Sequence, residues 1–183
     1  MAFSTLRSPL TTKRTIAQDR LFCDPPVDPS RLDPQARRRL STELYAAHCR
    51  IFSGVDEHGF HDYVIAPEDA DTRIQLYRNQ AGEIVGYFAI HGYLRPVDGR
   101  SALIIRGEIG LERRYRGRRA FARFTISQSL RLWFRNLHRR KFGFACPVHP
   151  SSYWGVTRRV ETSWPRPGVE TPPAVEQAML ALA

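Results

Sequence analysis

The stretch Leu111-Glu112-Arg113-Arg114-Tyr115-Arg116-Gly117-Arg118-Arg119-Ala120 joins an apolar, strand-like run to a long amphipathic helix pattern. Arginines at a helix start oppose the macrodipole, each by about 0.3–1 kcal/mol at an exposed site. Their clustering around Gly117 predicts an anion there. Amides of a first helical turn, a glycine that lets the backbone approach closely, and guanidinium forks together suit phosphate or pyrophosphate. The plainer alternative is a solvated basic corner.

Upstream, Ser101 to Leu111 alternates as a strand, with Leu103, Ile105, Gly107, Ile109 and Leu111 on one face. Ala102, Ile104, Arg106, Glu108 and Gly110 take the other. Before it, Arg73–Asn79 and Glu83–His91 flank Gln80-Ala81-Gly82, which predicts a β-hairpin, and Asp98-Gly99 marks a further turn. Asp33-Pro34 is an N-cap and first-turn pair, opening a helix expected to end near Ser53-Gly54. Downstream, Phe121, Phe124, Ile126, Leu130, Trp133, Phe134 and Leu137 recur at helical spacing. That stripe predicts a core-facing helix with arginines outward. Phe142 to Cys146 reads as a short buried strand, and Ser151–Arg159 and Pro173–Leu182 as helices. The expected fold is therefore α/β, a mixed and mostly antiparallel sheet flanked by helices, with a strand, arginine/glycine loop and helix at the ligand end.

The chain has 183 residues, with 28 Lys+Arg against 18 Asp+Glu and a formal net charge of +10. Its length suits one domain. We expect residues 1–32 to be a poorly ordered basic and proline-rich arm and 33–183 to form the domain. The charge calls for an anionic partner: a phosphorylated cofactor, an acidic carrier protein, nucleic acid or a membrane surface. Cys23, Cys49 and Cys146 have no metal-ligand or Cys-x-x-Cys spacing, so no metal site is expected and a reduced, cytoplasmic setting fits. No run has the length of a membrane span.

The order of elements and the Leu-x-x-x-Tyr-Arg-Gly-Arg run resemble the acyl-CoA N-acyltransferase superfamily called GNAT. Leu111, Tyr115, Arg116, Gly117 and Arg118 match its strand-to-helix motif, and Leu76-Tyr77-Arg78 with Gly82 to Tyr87 resembles its second and third strands. The similarity spans about Pro34 to Trp164. Arg119 and Phe121 stand where the superfamily has loop glycines, and Arg113 replaces a proline. The segment from His149-Pro150-Ser151-Ser152-Tyr153 onward is similar to a bacterial branch of the superfamily. The resemblance implies acetyl-CoA or a longer acyl-CoA as co-substrate, contacted by Ile109, Leu111, Arg116, Gly117, Arg118, Arg119 and Ala120. It also implies transfer of the acyl group to an amine of a small-molecule or protein acceptor, with an acidic acyl carrier protein as another possible donor.

Such a transfer needs a base for the amine proton and an acid for the departing thiolate. Glu108, a carboxylate near the end of an apolar strand, is the first candidate base, with pairing to Arg106 as its alternative. His91 and His149 are further candidate bases, and Tyr153 is the candidate acid. Cys146 reads as a small buried hydrophobe. The acidic group Asp56, Glu57, Asp62, Glu68, Asp69 and Asp71 could attract a cationic acceptor or form a solvated loop. Two other functions compete: a catalytically degenerate binding protein of the same fold, and a basic nucleic-acid-binding protein using Arg123, Arg131, Arg135, Arg139 and Arg140. Nucleic acid is the weaker expectation, because no known recognition motif accompanies those arginines.

Overall fold

In the computed structural model, β3 (Ile84–Val97) and β4 (Arg100–Leu111) form the long central pair of the sheet. Their turn needs two left-handed residues, and Asp98 (φ 52°) and Gly99 (φ 66°) supply them. The structure describes residues 20–116, 121–147, 150–158, 160, 162–166 and 168–182. β2 (Ala70–Arg78) pairs antiparallel with β3 through the predicted hairpin, whose Asn79 side chain accepts from the amides of Ala81 and Glu83. β1 (Phe22–Cys23) adds an edge to β2, and β5 (Arg140–Phe144) lies parallel to β4. The strand order is β1-β2-β3-β4-β5, mixed and mostly antiparallel as expected.

The lead-in carries more structure than its prolines predict. Val27 bridges Ile74, Leu21 and Val27 pack on the core, and Pro29 is buried. Asp33 caps α1 (Pro34–Cys49) by accepting from the amides of Gln35 and Ala36. The helix stops short of Ser53, since the Ile51 and Phe52 amides both turn back to the His48 carbonyl. Leu40, Leu44 and Ala47 of α1 pack on Ile74, Leu76, Tyr87 and Ala89, joined by Phe60 of α2 (Glu57–Phe60). Phe60, Tyr63, Val64 and Ile65 before Pro67 make an apolar segment too brief for its period to decide between helix and strand, and the structure makes His61–Ile65 a π-helical turn that buries Val64 and Ile65. The same sheet face receives α5 (Pro173–Leu180), after which Leu182 packs with Tyr93, Val97, Ala102 and Ile104.

The opposite face is covered by α3 (Ala122–Arg135), in an orientation the sequence did not predict. Phe124, Gln128 and Leu132 point inward, while Ile126, Leu130, Trp133, Phe134 and Leu137 are exposed. Trp133 and Phe134 are therefore not core residues. Asp71 on β2 explains the rotation. It accepts from Arg131 Nη1 (2.8 Å) and Nη2 (3.0 Å) and from Arg135 Nη1 (3.0 Å), while Arg73 donates to it from its own strand. A two-pronged guanidinium contact of this kind fixes orientation as well as distance. Gly92 then allows Leu132 to seat closely, for a Cβ there would lie 2.6 Å from Leu132 Cδ2. β5 differs as well. It is half-exposed at the sheet edge, and Cys146 beyond it is exposed rather than buried. The two last helices match their expected places, with α4 spanning Pro150–Thr157.

Burial alone would push the Asp71 carboxyl up, but its hydrogen bond to Arg131 and the charges of Arg131, Arg73 and Arg135 outweigh it and hold it below the ordinary range. With the folded value below the unfolded one, this contribution is full above pH about 3.9 and is lost as pH falls through the folded value. Asp71→Asn should cost about 2 kcal/mol in urea unfolding at neutral pH, and the difference from the parent should shrink in strong acid.

Candidate active site

Pairing between β4 and β5 ends at Arg106 with Phe144, whereas β4 continues to Leu111. Beyond that point the sheet parts, and backbone groups of Gly107–Leu111 have no β5 partner strand. Ile109 of this stretch is 45% exposed despite its apolar side chain. Leu111 is buried and its carbonyl accepts from Arg116 Nε at 2.9 Å. Tyr115, fully buried under the following 3-10 turn Arg113–Tyr115, anchors this exit from the strand. Gly117, Arg118, Arg119 and Ala120 lie outside the described residues. Phe121, one of the residues standing at a loop-glycine position, turns its ring into the core against Tyr77 and Phe88, at 5.0 and 5.6 Å between centroids.

Glu108 lies within the unpaired stretch, on the α1 and α2 face of the sheet. Its Oε1 accepts from Arg106 Nε at 2.7 Å. Both readings of Glu108 thus meet in one place: it borders the opening and is also paired. Arg106 is 4% exposed, stacks 3.4 Å from the Tyr63 ring centroid, and donates from Nη1 to the Leu182 carbonyl at 3.1 Å. Its Nη2 is buried with no partner among the described residues. Burial pushes the Glu108 carboxyl up, and the hydrogen bond and charge of Arg106 only partly offset this. A carboxylate so placed is a better proton acceptor than a solvated one. Burial, helped by the Glu108 charge, also raises Tyr87, and Tyr93 to about 12. The Cys146 thiol is raised by burial and then by Glu108, so it is not an activated thiolate.

The other candidates separate from this group. His91 is not at a strand end: β3 runs on to Val97 and the imidazole is fully buried opposite Arg106. Its Nδ1 shares a 2.9 Å hydrogen bond with Thr72 Oγ1, and burial lowers its pKa to about 4. It is a neutral interior group, closed to a substrate. Tyr153 is exposed on α4 and its hydroxyl donates to the Pro165 carbonyl at 3.1 Å. No contact joins it to Glu108 among the described residues, and His149 lies outside them. The acidic group is dispersed as well. Asp56 caps α2, Glu57 accepts from Thr42, Asp62 pairs with His58, and Asp71 is held by arginines. Sequence reading missed Tyr63 as the lid of the Arg106 guanidinium, since nothing in a segment of undecided period ties it to β4.

Beside the opening, a cleft of about 1090 Å³ runs between the end of α1, the β2–β3 hairpin and the turn after β4. Arg50, Arg78, Arg113, Arg114 and Arg116 line it with Glu43, Glu83 and Glu112. Glu112 accepts from Arg50 Nε at 3.0 Å and from Arg114 Nε at 3.2 Å. Its arginines outnumber its carboxylates, which suits an anion next to Arg116.

No family model matches the chain, and no curated protein does. Among solved structures it is similar to a ribosomal-protein-alanine N-acetyltransferase from Brucella melitensis biovar Abortus 2308, at 12% identity over 83% of this chain and 100% of that one, with a TM-score of 0.47. An aminoglycoside 6'-N-acetyltransferase from Acinetobacter baumannii aligns at 13% identity over 83% and 97%, also with a TM-score of 0.47. A third, an aminoglycoside N-acetyltransferase in complex with CoA, aligns at 11% identity over 75% and 82%, with a TM-score of 0.44.

Because His91 is neutral when folded and protonates near its ordinary value of about 6.5 when unfolded, the unfolded chain binds more protons between those values. Stability therefore falls as pH drops from about 6.5 to about 4, by on the order of 3 kcal/mol from this group alone. In His91→Gln that part of the pH dependence should be gone, as read by urea unfolding at a series of pH values.

Proposed function

We infer that this protein transfers an acyl group from an acyl-CoA to an amine, with Glu108 as general base. The observation that carries this reading is the coincidence of three things in one place: the end of β4–β5 pairing, a half-buried carboxylate raised above its usual range at that point, and the arginine-rich exit from the same strand. The thioester would lie along Gly107–Leu111, its pyrophosphate beside Arg116 and the Gly117-Arg118-Arg119-Ala120 segment that follows it in sequence. Glu108 takes a proton from the incoming ammonium group, directly or through water. The neutral amine nitrogen then bonds to the thioester carbon, the C–S bond breaks, and the second proton that the nitrogen sheds on becoming an amide passes to the leaving thiolate. Arg106 holds the carboxylate in position and limits how far burial raises it. Tyr153, engaged with Pro165, is left as the proposed acid only if that hydrogen bond is exchanged.

The Arg106–Glu108 pair also supports a second reading, a protein of this fold that binds acyl-CoA without turnover, since the base is already engaged. Kinetics separate the two. In the enzyme, Glu108→Gln should lower kcat by about 10²–10⁴-fold while acetyl-CoA affinity by titration calorimetry stays within about twofold. Arg116→Ala should weaken acetyl-CoA and free CoA by about tenfold or more. The acidic limb of the rate profile should lie above the range of an ordinary glutamate, because Glu108 must lose its proton to act. No turnover with any amine, and CoA binding that Arg116→Ala leaves unchanged, would overturn both readings.

A further inference from the structure

Ile126, Leu130, Trp133 and Phe134 on α3, with Leu137 in the turn just after it, follow one another at steps of four, three, one and three, forming a single stripe. Each is between 48% and 67% exposed. The stripe is opposite to the side that holds the helix in the fold, where Phe124 and Leu132 are buried and Arg131 clamps Asp71. Its exposure is therefore fixed by the same contacts that orient the helix. A monomeric soluble protein seldom presents so large an apolar ridge without an occupant.

The chain around the ridge says what the occupant is. From Arg113 to Val160 there is no Asp or Glu, against thirteen Arg and Lys. Arg123 stands on the same helical face ahead of the stripe, and Lys141 Nζ lies 4.5 Å over the Trp133 ring at its far end. A second copy of this chain would bring two such cationic faces together. The arginine-lined cleft beside Arg116 takes no residue of α3, so the ridge is a surface apart from it. An exposed stripe with aromatic residues and cations, and no acids, matches a lipid surface, where apolar side chains enter the headgroup boundary and cations meet phosphates.

We propose that α3 is a peripheral membrane-contact face that lies in the plane of an anionic bilayer, with Trp133 and Phe134 inserted. This surface is separate from the acyl-transfer reading and stands or falls without it. The test is flotation of the full chain with vesicles of phosphatidylcholine alone and of phosphatidylcholine with about one-third phosphatidylglycerol, at low and high salt. The parent should partition at least about tenfold more into the anionic vesicles at low salt, and lose most of that preference at high salt. Trp133→Ser/Phe134→Ser should abolish the binding with an unchanged circular dichroism spectrum, and Arg123→Glu/Lys141→Glu should weaken it while the apolar stripe is kept. The proposal is overturned if the parent ignores anionic vesicles or if Trp133→Ser/Phe134→Ser binds them as well as the parent. It is overturned equally if sedimentation shows a dimer that Trp133→Ser/Phe134→Ser dissociates while vesicle binding is absent, which would make a second copy the occupant.

Discussion

A guanidinium buried within a sheet face must find partners, because an uncompensated charge there costs several kcal/mol. Arg106 draws its partners from distant parts of the chain: Glu108 on its own strand, Tyr63 from the turn after α2, and the Leu182 carbonyl after α5. The requirement ties the C-terminal segment and the α2 region to the middle of β4. It also holds one carboxylate where β5 stops pairing. The candidate chemistry and the closing of this face thus rest on one set of contacts, and a change in either reaches the other.

The parting of β4 and β5 supplies what a fully paired sheet cannot. Past Arg106, β4 keeps its ladder to β3 but faces no strand on the other side among the described residues. Backbone polar groups left without a ladder can serve an extended ligand as they would a neighbouring strand. Glu108 is within that stretch, so under the proposed acyl transfer an extended thioester would meet its base without movement of the strand. Tyr115 then turns the chain out of the sheet toward the arginines.

Much of this was legible in the residues. Alternation in Ser101–Leu111 placed Arg106 and Glu108 on one face, and Asp98-Gly99 and the Asn79–Glu83 turn set the strands, because those signals are local. Asp33-Pro34 marked the start of α1 for the same reason. What failed depended on contacts across the fold. The wider of the two apolar sides of α3 reads as its core face, yet Asp71, about sixty residues earlier, selects the narrower one. A strand that ends at His91, where the apolar run breaks, is the local expectation, whereas pairing with β4 carries β3 on to Val97. Phe121 stands at a loop-glycine position of the resemblance, and only its packing on Tyr77 and Phe88 shows where the ring goes.

Under the proposed acyl transfer the donor lies along the stretch of β4 past the end of β5. Backbone amide NMR of the full chain titrated with CoA tests that placement most directly. The amides of Gly107 to Leu111 should shift and become protected from exchange, together with Arg116, while those of β2 stay unchanged. Shifts confined to the exposed arginine side chains, with Gly107 to Leu111 unaltered at saturation, would contradict it.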